Sequence, residues 1–253
     1  DPRDPTAVDY PAPDYLQEMK QSVKGLRLGL VREYFGVEIS APVQEALQAA
    51  VKVYRDLGVD VVEVELPHNE VALAAYYIIA AAEASSNLAR YDGVRYGYRT
   101  SETVADAGDL FMKTRGAGLG PEVKRRIMIG TYVLRAGYYD AYYVQAQQVR
   151  QLIREDFNNA FKKCDLMLTP TTPGVAFGLG CKNQDSVAMY AQDICTITAN
   201  LAGLPGISFP AGFHRGLPIG LQLLGPAFKE GSLLRAAYAF EQATGYQQQR
   251  PQL

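Results

Sequence analysis

Hydrophobic and polar positions follow two different periods along the chain, and these periods predict strands and helices in alternation. Residues 26–31 (LRLGLV) form a short apolar run typical of a buried strand. Apolar side chains then recur at helical spacing between Ser40, a candidate N-cap, and Gly58, a candidate helix end. Residues 59–66 return to a strand pattern. This β-α-β order predicts a parallel strand pair joined by a right-handed crossover.

The middle of the chain is predicted to be mostly helical. Residues 70–89 are rich in Ala, Ile, Leu and Tyr, which predicts a helix that is apolar on most sides and buried. Glycines and charges dominate residues 90–120, so a loop that could cover a cleft is expected there. Residues 121–135, opened by Pro121, and residues 137–163 are two further predicted helices.

The last third of the chain alternates again between strand and helix patterns. Two apolar runs, residues 206–210 and 217–225, flank a short turn and predict a close strand pair at the heart of a sheet. The other elements predicted there are a strand over residues 164–169 and helices over residues 189–201 and 232–244. The order of strands and helices along the whole chain predicts an α/β fold in which a mixed β-sheet is covered by helices.

The first 24 residues are expected to be a linker or loop, because their prolines exclude regular helix. The chain opens with DPRDPTAVDYP and without Met, which is typical of a connection inside a longer protein. We therefore expect the sequence to be a piece of a longer polypeptide. Its 253 residues, 48% of them hydrophobic, are enough for one large α/β domain.

Charge and cysteine usage narrow the classes of function. The 25 basic and 27 acidic residues give a net charge of −2, which offers no electrostatic excess for holding a phosphate backbone. Cys164, Cys181 and Cys195 lack C-x-x-C spacing, and only His68 and His214 could join them, so a zinc site is poorly supported. Their odd number also argues against a disulfide framework, and their roles stay open.

The sequence shows neither a membrane-span pattern nor a signal-peptide pattern. No uninterrupted apolar run reaches the roughly 18 residues of a membrane span, and no signal-peptide pattern opens the chain. We expect a protein of the reducing cytoplasm with no membrane contact.

No complete set of catalytic residues emerges from a search for nucleophiles. The chain has no G-x-S-x-G elbow, no H-E-x-x-H, and no cysteine with a plausible histidine neighbour. Ser208 lies in a predicted strand and Ser85 in a predicted helix, so structural roles are favoured for both. Glu83 and Asp92 lack a spacing that calls for acid–base work, and capping or ion pairing is expected instead.

Tyrosines form a broad face on the predicted helix over residues 137–163. Tyr138, Tyr139, Tyr142 and Tyr143 lie at i, i+1, i+4 and i+5. Aromatic stripes at helical spacing are usually interior. We therefore expect this face to pack inside the protein or to contact another subunit.

Four segments resemble a known family. They are NLAGLPGISFPAGFHRGLPIGLQLLG (200–225), EASSNLARYDGVRYGYR (83–99), GPEVKRRIMIGTYVLRAGYYDAYY (120–143) and MYAQDICT (189–196). Together they resemble the C-terminal half of amidase-signature enzymes, in particular the glutaminase subunits of tRNA-dependent amidotransferases. The family's catalytic Ser, cis-linked Ser and Lys lie in an N-terminal half that this sequence does not contain. The resemblance therefore implies no catalytic residue here, and no glutaminase activity of these 253 residues alone.

The resemblance also implies where a substrate would be held. A free amino acid such as glutamine is a zwitterion, which calls for a guanidinium and a carboxylate at complementary positions of one cavity. By motif position Arg126 would bind the substrate carboxylate, Asp193 its ammonium group, and Tyr76 would line the pocket. The alternatives are a solvated helix face for Arg126, a helix-end charge for Asp193 and a core aromatic for Tyr76.

For the whole enzyme, the resemblance implies release of ammonia from glutamine and its transfer to a partner subunit. That partner would use ATP and Mg²⁺ to convert Glu-tRNA(Gln) to Gln-tRNA(Gln), so this chain itself would need no cofactor. A heterotrimer is expected, with tRNA held mainly by the partner. Two alternatives stay open: a stand-alone amidase for another small amide, and a non-catalytic α/β binding domain.

Overall fold

The computed structural model describes residues 1–35, 39–181 and 191–251. The chain divides into two compact units. The first contains Asp1–Pro67 and Arg154–Leu253, and the second contains His68–Ile153.

A mixed β-sheet forms the centre of the first unit. In the described part of the chain it has the strand order β2-β1-β3-β5-β4. The strands are β1 (Arg27–Val31), β2 (Asp60–Val64), β3 (Leu166–Pro170), β4 (Gly206–His214) and β5 (Leu217–Leu224). β1 is parallel to both β2 and β3, whereas β5 is antiparallel to β3 and β4. The predicted α/β class and mixed sheet are confirmed.

The β4–β5 pair lies at one side of this sheet and not at its heart, which corrects the sequence prediction. β5 pairs with β3 on its other side, while β4 is an edge strand of the described sheet. Two features suit an edge position: Pro210 has no N–H to donate, and the register shifts between Pro210 and Gly212.

Helices cover the sheet of the first unit. α2 (Ala41–Asp56) and α8 (Glu230–Thr244) contact its strands, and α1 (Tyr15–Glu18) packs on α8. The unit also contains α7 (Ile197–Ala202) and 3₁₀ turns at Arg32–Phe35, Ala191–Asp193 and Tyr246–Gln248. Tyr54 of α2 is fully buried, and its hydroxyl donates to the Ala236 carbonyl of α8 at 3.2 Å. Its ring packs on Phe240, which also contacts Phe209 of β4. Burial of such large side chains contributes about 1.5–3 kcal/mol each.

Two details of the first unit differ from the sequence predictions. α1 is a single helical turn inside the predicted linker, and Asp14 caps it by accepting a hydrogen bond from the Gln17 amide. Ser40 precedes α2 as predicted, but its side chain makes no capping hydrogen bond. Its amide instead donates to the Pro173 carbonyl at 2.8 Å.

The predicted helix over residues 189–201 is only partly described. Residues 189 and 190 lie outside the described residues. The described part is the 3₁₀ turn Ala191–Asp193 followed by α7, which ends at Gly203 in the left-handed region (φ 72°). Two short pieces therefore replace the later part of the predicted helix.

The second unit is helical. Its helices are α3 (Asn69–Leu88), α4 (Ala107–Gly118), α5 (Pro121–Val133), a π-helical turn (Tyr139–Val144) and the start of α6 (Gln145–Ala160), along which the chain passes back to the first unit. Most of the predicted tyrosine face falls on the π-helical turn and is not interior. Tyr139 and Tyr142 are 43% and 41% exposed.

Helix α4 corrects the prediction of a loop over residues 90–120. Asp106 caps this helix by accepting from the Asp109 amide at 2.8 Å. Leu110 and Thr114 are buried along one side of it. Three glycines in α4 lower its intrinsic helix propensity, so tertiary contacts decide its conformation.

Helix α3 is long and apolar enough, by length and composition alone, to cross a membrane. One such helix is weak evidence, because a core helix of a globular protein passes the same test. In α3 the side chains of Ala72, Ala75 and Ile79 are buried, and Glu83 interrupts the apolar sequence. Only 28% of the apolar stretch of α3 is buried, so the sequence prediction of a helix buried on most sides is wrong: one side packs and the rest is partly or fully exposed.

Candidate functional site

Helices α3 and α5 of the second unit pack side by side and run in the same direction. Contacts advance together along both: Arg126 lies on Tyr77, Gly130 on Ala81, and the Thr131 and Ser85 hydroxyls are 2.9 Å apart. Both amino ends therefore lie toward one end of the pair and both carboxyl ends toward the other. Tyr76 and Arg126 are brought together by this packing.

Gly130 sets the distance between the two helices. A Cβ at this position would overlap the Ala81 carbonyl oxygen and would lie 2.7 Å from the Ser85 Cβ. Real Cβ atoms essentially never approach so closely, so any larger residue forces α5 away from α3. Arg126 lies one helical turn before Gly130, and its position depends on this contact.

The Arg126 guanidinium is held on several sides. Its Nε donates to Glu122 Oε1 at 3.0 Å, and its Cζ lies 5.5 Å from the centre of the Tyr77 ring. Burial lowers the pKa of Arg126, but hydrogen bonds with Glu122 and Tyr76 outweigh this and raise the pKa above its ordinary value. The side chain is 30% exposed, so it is an oriented cation that a ligand can still reach.

Arg125 differs from its neighbour in environment. It pairs with the same carboxylate, from NH1 to Glu122 Oε2 at 3.3 Å, but its side chain is 47% exposed against 30% for Arg126. Successive helical residues point about 100° apart. Of the two arginines, Arg126 is the less exposed and the one that hydrogen-bonds Tyr76, and its role as the carboxylate-binding residue stays a prediction.

Asp193 lies in the first unit, exposed at the end of the 3₁₀ turn Ala191–Asp193. Its carbonyl accepts hydrogen bonds from the Thr196 amide at 2.9 Å and the Thr196 hydroxyl at 3.0 Å. These bonds fix the backbone at Asp193. Its role as the acceptor for a substrate ammonium stays a prediction.

Gln222 of β5 anchors the segment that carries Asp193. It is 6% exposed, and its Nε2 donates to the Cys195 carbonyl at 2.6 Å and to the Pro170 carbonyl at 3.0 Å. One side-chain amide thereby ties the residues after Asp193 to the end of β3. Gln222 is a positioning residue for this segment.

Replacing Gln222 with Met is expected to lower the free energy of unfolding by about 2 kcal/mol, because two buried carbonyls lose their donor. Met keeps the side-chain volume, so cavity effects stay small. The exposed Gln48→Met in α2 of the same unit is the matched control and should change stability by less than about 0.5 kcal/mol. Urea unfolding of both variants is the measurement, and equal midpoints would show that the bridge adds no stability.

The serines discussed from the sequence have structural partners. Ser85 Oγ lies 2.9 Å from Thr131 Oγ1, and Ser208 Oγ lies 2.9 Å from Thr171 Oγ1. Asp92 accepts from the Val94 and Arg95 amides, which lowers its pKa to about 2, and it therefore caps a turn. Among the described residues no group of three or more His, Cys, Asp and Glu side chains is arranged to hold a metal ion.

Sequence reasoning missed Gly130 and Gln222. A glycine in the middle of a predicted helix is a signal for close packing, because it otherwise destabilises a helix by about 1 kcal/mol. A lone glutamine in the apolar strand LPIGLQLL is a comparable signal, since a buried amide needs partners. Neither signal identifies the partner residue.

These features define an α/β protein with an oriented arginine in a candidate binding site. The family profile described as amidase matches residues 1–234. The chain therefore belongs to the amidase family, and the resemblance seen in the sequence is confirmed.

Individual relatives agree with this assignment. The A subunit of glutamyl-tRNA(Gln) amidotransferase from Moorella thermoacetica is 55% identical over 253 residues, all of this chain and 52% of that protein. The protein of the same name from Carboxydothermus hydrogenoformans is 56% identical, also over 100% of this chain and 52% of its own length. The chain spans about half the length of the curated relatives it matches.

Solved structures confirm the amidase-signature fold. The crystal structure of the A subunit of glutamyl-tRNA(Gln) amidotransferase from Thermotoga maritima matches with a TM-score of 0.73 and 39% identity, over 96% of this chain and 47% of that chain. A bacterial aryl acylamidase of the amidase-signature family matches with a TM-score of 0.77 at 21% identity, over 98% of this chain and 49% of that chain. The second match supports the fold alone.

Proposed function

We propose that this chain is the substrate-recognition part of the glutaminase subunit of a tRNA-dependent amidotransferase. The oriented Arg126 beside Tyr76 carries the proposal, supported by the 55% identity to a protein named as the A subunit of such an enzyme. In the whole enzyme, glutamine would be hydrolysed to ammonia, which would serve to convert Glu-tRNA(Gln) to Gln-tRNA(Gln).

Arg126 would bind the α-carboxylate of glutamine. Its Nε bond to Glu122 fixes the plane of the guanidinium, and five N–H donors are enough to serve Glu122 and a substrate carboxylate together. Tyr76 would line the pocket, and Asp193 would accept the substrate ammonium. Such contacts orient the side-chain amide toward its nucleophile, and orientation contributes much of an enzyme's rate enhancement.

The remaining parts of the proposal concern residues and molecules outside this chain. Catalytic Ser, Ser and Lys residues would come from the other half of the amidase domain, and ATP and Mg²⁺ would bind a partner subunit. The net charge of −2 supports a tRNA held mainly by that partner. A cytoplasmic heterotrimer is the proposed assembly.

Substrate analogues test the proposal directly. The full-length protein is given glutamine, 4-aminobutanamide (no α-carboxylate), 4-carbamoylbutanoate (no α-ammonium) and butanamide (neither group). We expect kcat/KM for glutamine to exceed that for each analogue by at least about 100-fold, since a site built for polar groups rejects ligands that lack them. Released ammonia is the measurement.

Two outcomes would favour the other functions. Butanamide hydrolysed as efficiently as glutamine would indicate an amidase for simple amides, for which an arginine beside the pocket is unnecessary. Glutamine that binds without any turnover would indicate a non-catalytic binding domain.

A further inference from the structure

A polar pocket lies at the carboxyl ends of α3 and α5. Its volume is about 360 Å³. The lining side chains come from α3, the end of α5 and the π-helical turn: Ala82, Glu83, Ser86, Asn87, Leu134, Tyr139 and Tyr143. Glu83 is seven residues beyond Tyr76 on α3, which places it about 10 Å further along the same face of the helix.

The lining is suited to a cation. It holds one carboxylate, one amide and three hydroxyls, and no Lys or Arg. Among the residues that the structure describes, no basic side chain forms an ion pair with Glu83. Because α3 and α5 are parallel, the partial negative charges of both carboxyl ends fall at this pocket, which favours a positive group further.

Two nearby arginines contact backbone carbonyls or aromatic rings outside the pocket. Arg115 NH1 donates to the Leu88 carbonyl at the end of α3 at 2.8 Å. The Arg135 guanidinium lies 4.2 Å from the centre of the Tyr138 ring and 4.8 Å from that of Tyr132. This region thus binds guanidinium groups by both carbonyl and aromatic contacts, while neither arginine lines the pocket.

The tyrosines at the rim add an aromatic contact. The Tyr139 and Tyr143 rings are 5.2 Å apart, and Tyr139 is 43% exposed. A cation within about 6 Å of such a ring is attracted by its face. The pocket is near the lower limit of the roughly 300–1,000 Å³ of ligand pockets, which suits one long side chain better than a nucleotide.

Exposed apolar residues also occur elsewhere on α5 and the π-helical turn. Met128, Ile129, Tyr132 and Tyr142 of α5 and the π-helical turn are between 41% and 72% exposed. Tyr, Met and Arg are enriched in protein–protein interfaces, and the centre of an interface often contains an anchor residue in a pocket.

We propose that the Glu83 pocket receives an arginine or lysine side chain of a second protein subunit. The proposal rests on the proposed function for the identity of that subunit, namely another subunit of the amidotransferase. Glu83 pairs with the incoming cation, Asn87 and Ser86 accept its remaining N–H groups, and Tyr139 and Tyr143 cover its apolar stem.

Assembly of the reconstituted complex tests this inference. The dissociation constant between the full-length protein and its partner is measured for wild type, Glu83→Gln, Glu83→Lys and Asp140→Asn. Asp140 is exposed, adjacent in sequence to Tyr139 and outside the pocket lining, so Asp140→Asn is a matched control for lost charge. We expect the dissociation constant to increase about 10-fold for Glu83→Gln and at least about 100-fold for Glu83→Lys. For the control it should change less than about 2-fold.

Separate readouts distinguish this inference from the proposed function. The glutamine KM of the uncomplexed protein should be the same in wild type and all three variants, because Glu83 lies outside the proposed glutamine site. A Glu83→Lys complex as tight as wild type would overturn the inference. A Glu83→Lys variant that assembles normally but melts at a lower temperature when uncomplexed would also overturn it. That result would indicate that the cation bound by Glu83 comes from the same polypeptide. If the Glu83 variants changed only the self-association of this protein, the cation would come from a second copy of the same chain, which would also contradict the inference.

Discussion

Replacing Arg126 with alanine is expected to raise the KM for glutamine about 100-fold in the full-length protein. A bidentate bond between a guanidinium and a carboxylate is worth roughly 2–3 kcal/mol, and each 1.4 kcal/mol corresponds to a factor of ten. The side chain is 30% exposed, and its ion pair with Glu122 adds little to stability, so the variant should remain folded. Steady-state kinetics and a thermal melt are the measurements.

Arg125→Ala is the matched control for this prediction. Arg125 has the same charge, lies on the same helix and pairs with the same Glu122 carboxylate. Its replacement should change the glutamine KM by less than about 3-fold. The ligand offers a second control: 4-aminobutanamide lacks the carboxylate, so Arg126→Ala should not affect its KM. An equal rise in the glutamine KM of both arginine variants would indicate a general effect of lost positive charge and would contradict a specific carboxylate contact.

Replacing Gly130 with valine is expected to destabilise the protein by about 3–5 kcal/mol. Even a Cβ would overlap the Ala81 carbonyl, and the branched side chain adds two more atoms against Ser85. The helices must separate, which also moves Arg126 away from Tyr76. We therefore expect a lower urea midpoint together with weaker glutamine binding in the fraction that stays folded.

Gly116→Ala in α4 separates this packing effect from a general effect of losing a glycine. A Cβ at Gly116 would meet no atom within 4 Å, and alanine favours helix by up to about 1 kcal/mol. This control should be as stable as wild type or slightly more stable. A Gly130→Val variant with wild-type stability would show that α3 and α5 can separate freely.

The order of the elements was largely predictable, because burial imposes a period on each of them. The strands at residues 26–31 and 59–66 and the helix between them follow directly from apolar spacing, and the structure has all three. Helix α4 was not predictable in this way, because three glycines interrupt its apolar spacing. Its conformation depends on the cap at Asp106 and on the burial of Leu110.

The candidate site was predictable only in part. The KRR segment and the helical angle single out one arginine, but the choice of Arg126 came from the family resemblance. The partners Glu122 and Tyr77 could not be inferred, since they depend on the direction in which α5 packs on α3. Gln222 was missed for the same reason: its two acceptors are 27 and 52 positions away in sequence.

The parallel packing of α3 and α5 has a consequence for the folding kinetics of this unit. Antiparallel helices can meet across a short turn, whereas parallel ones need a return segment, here residues 90–120 with α4. Closing so long a loop loses chain entropy before any contact forms, which slows folding. The Ala81–Gly130 contact should thus form after the individual helices, and changes there should act mainly on the rate of unfolding.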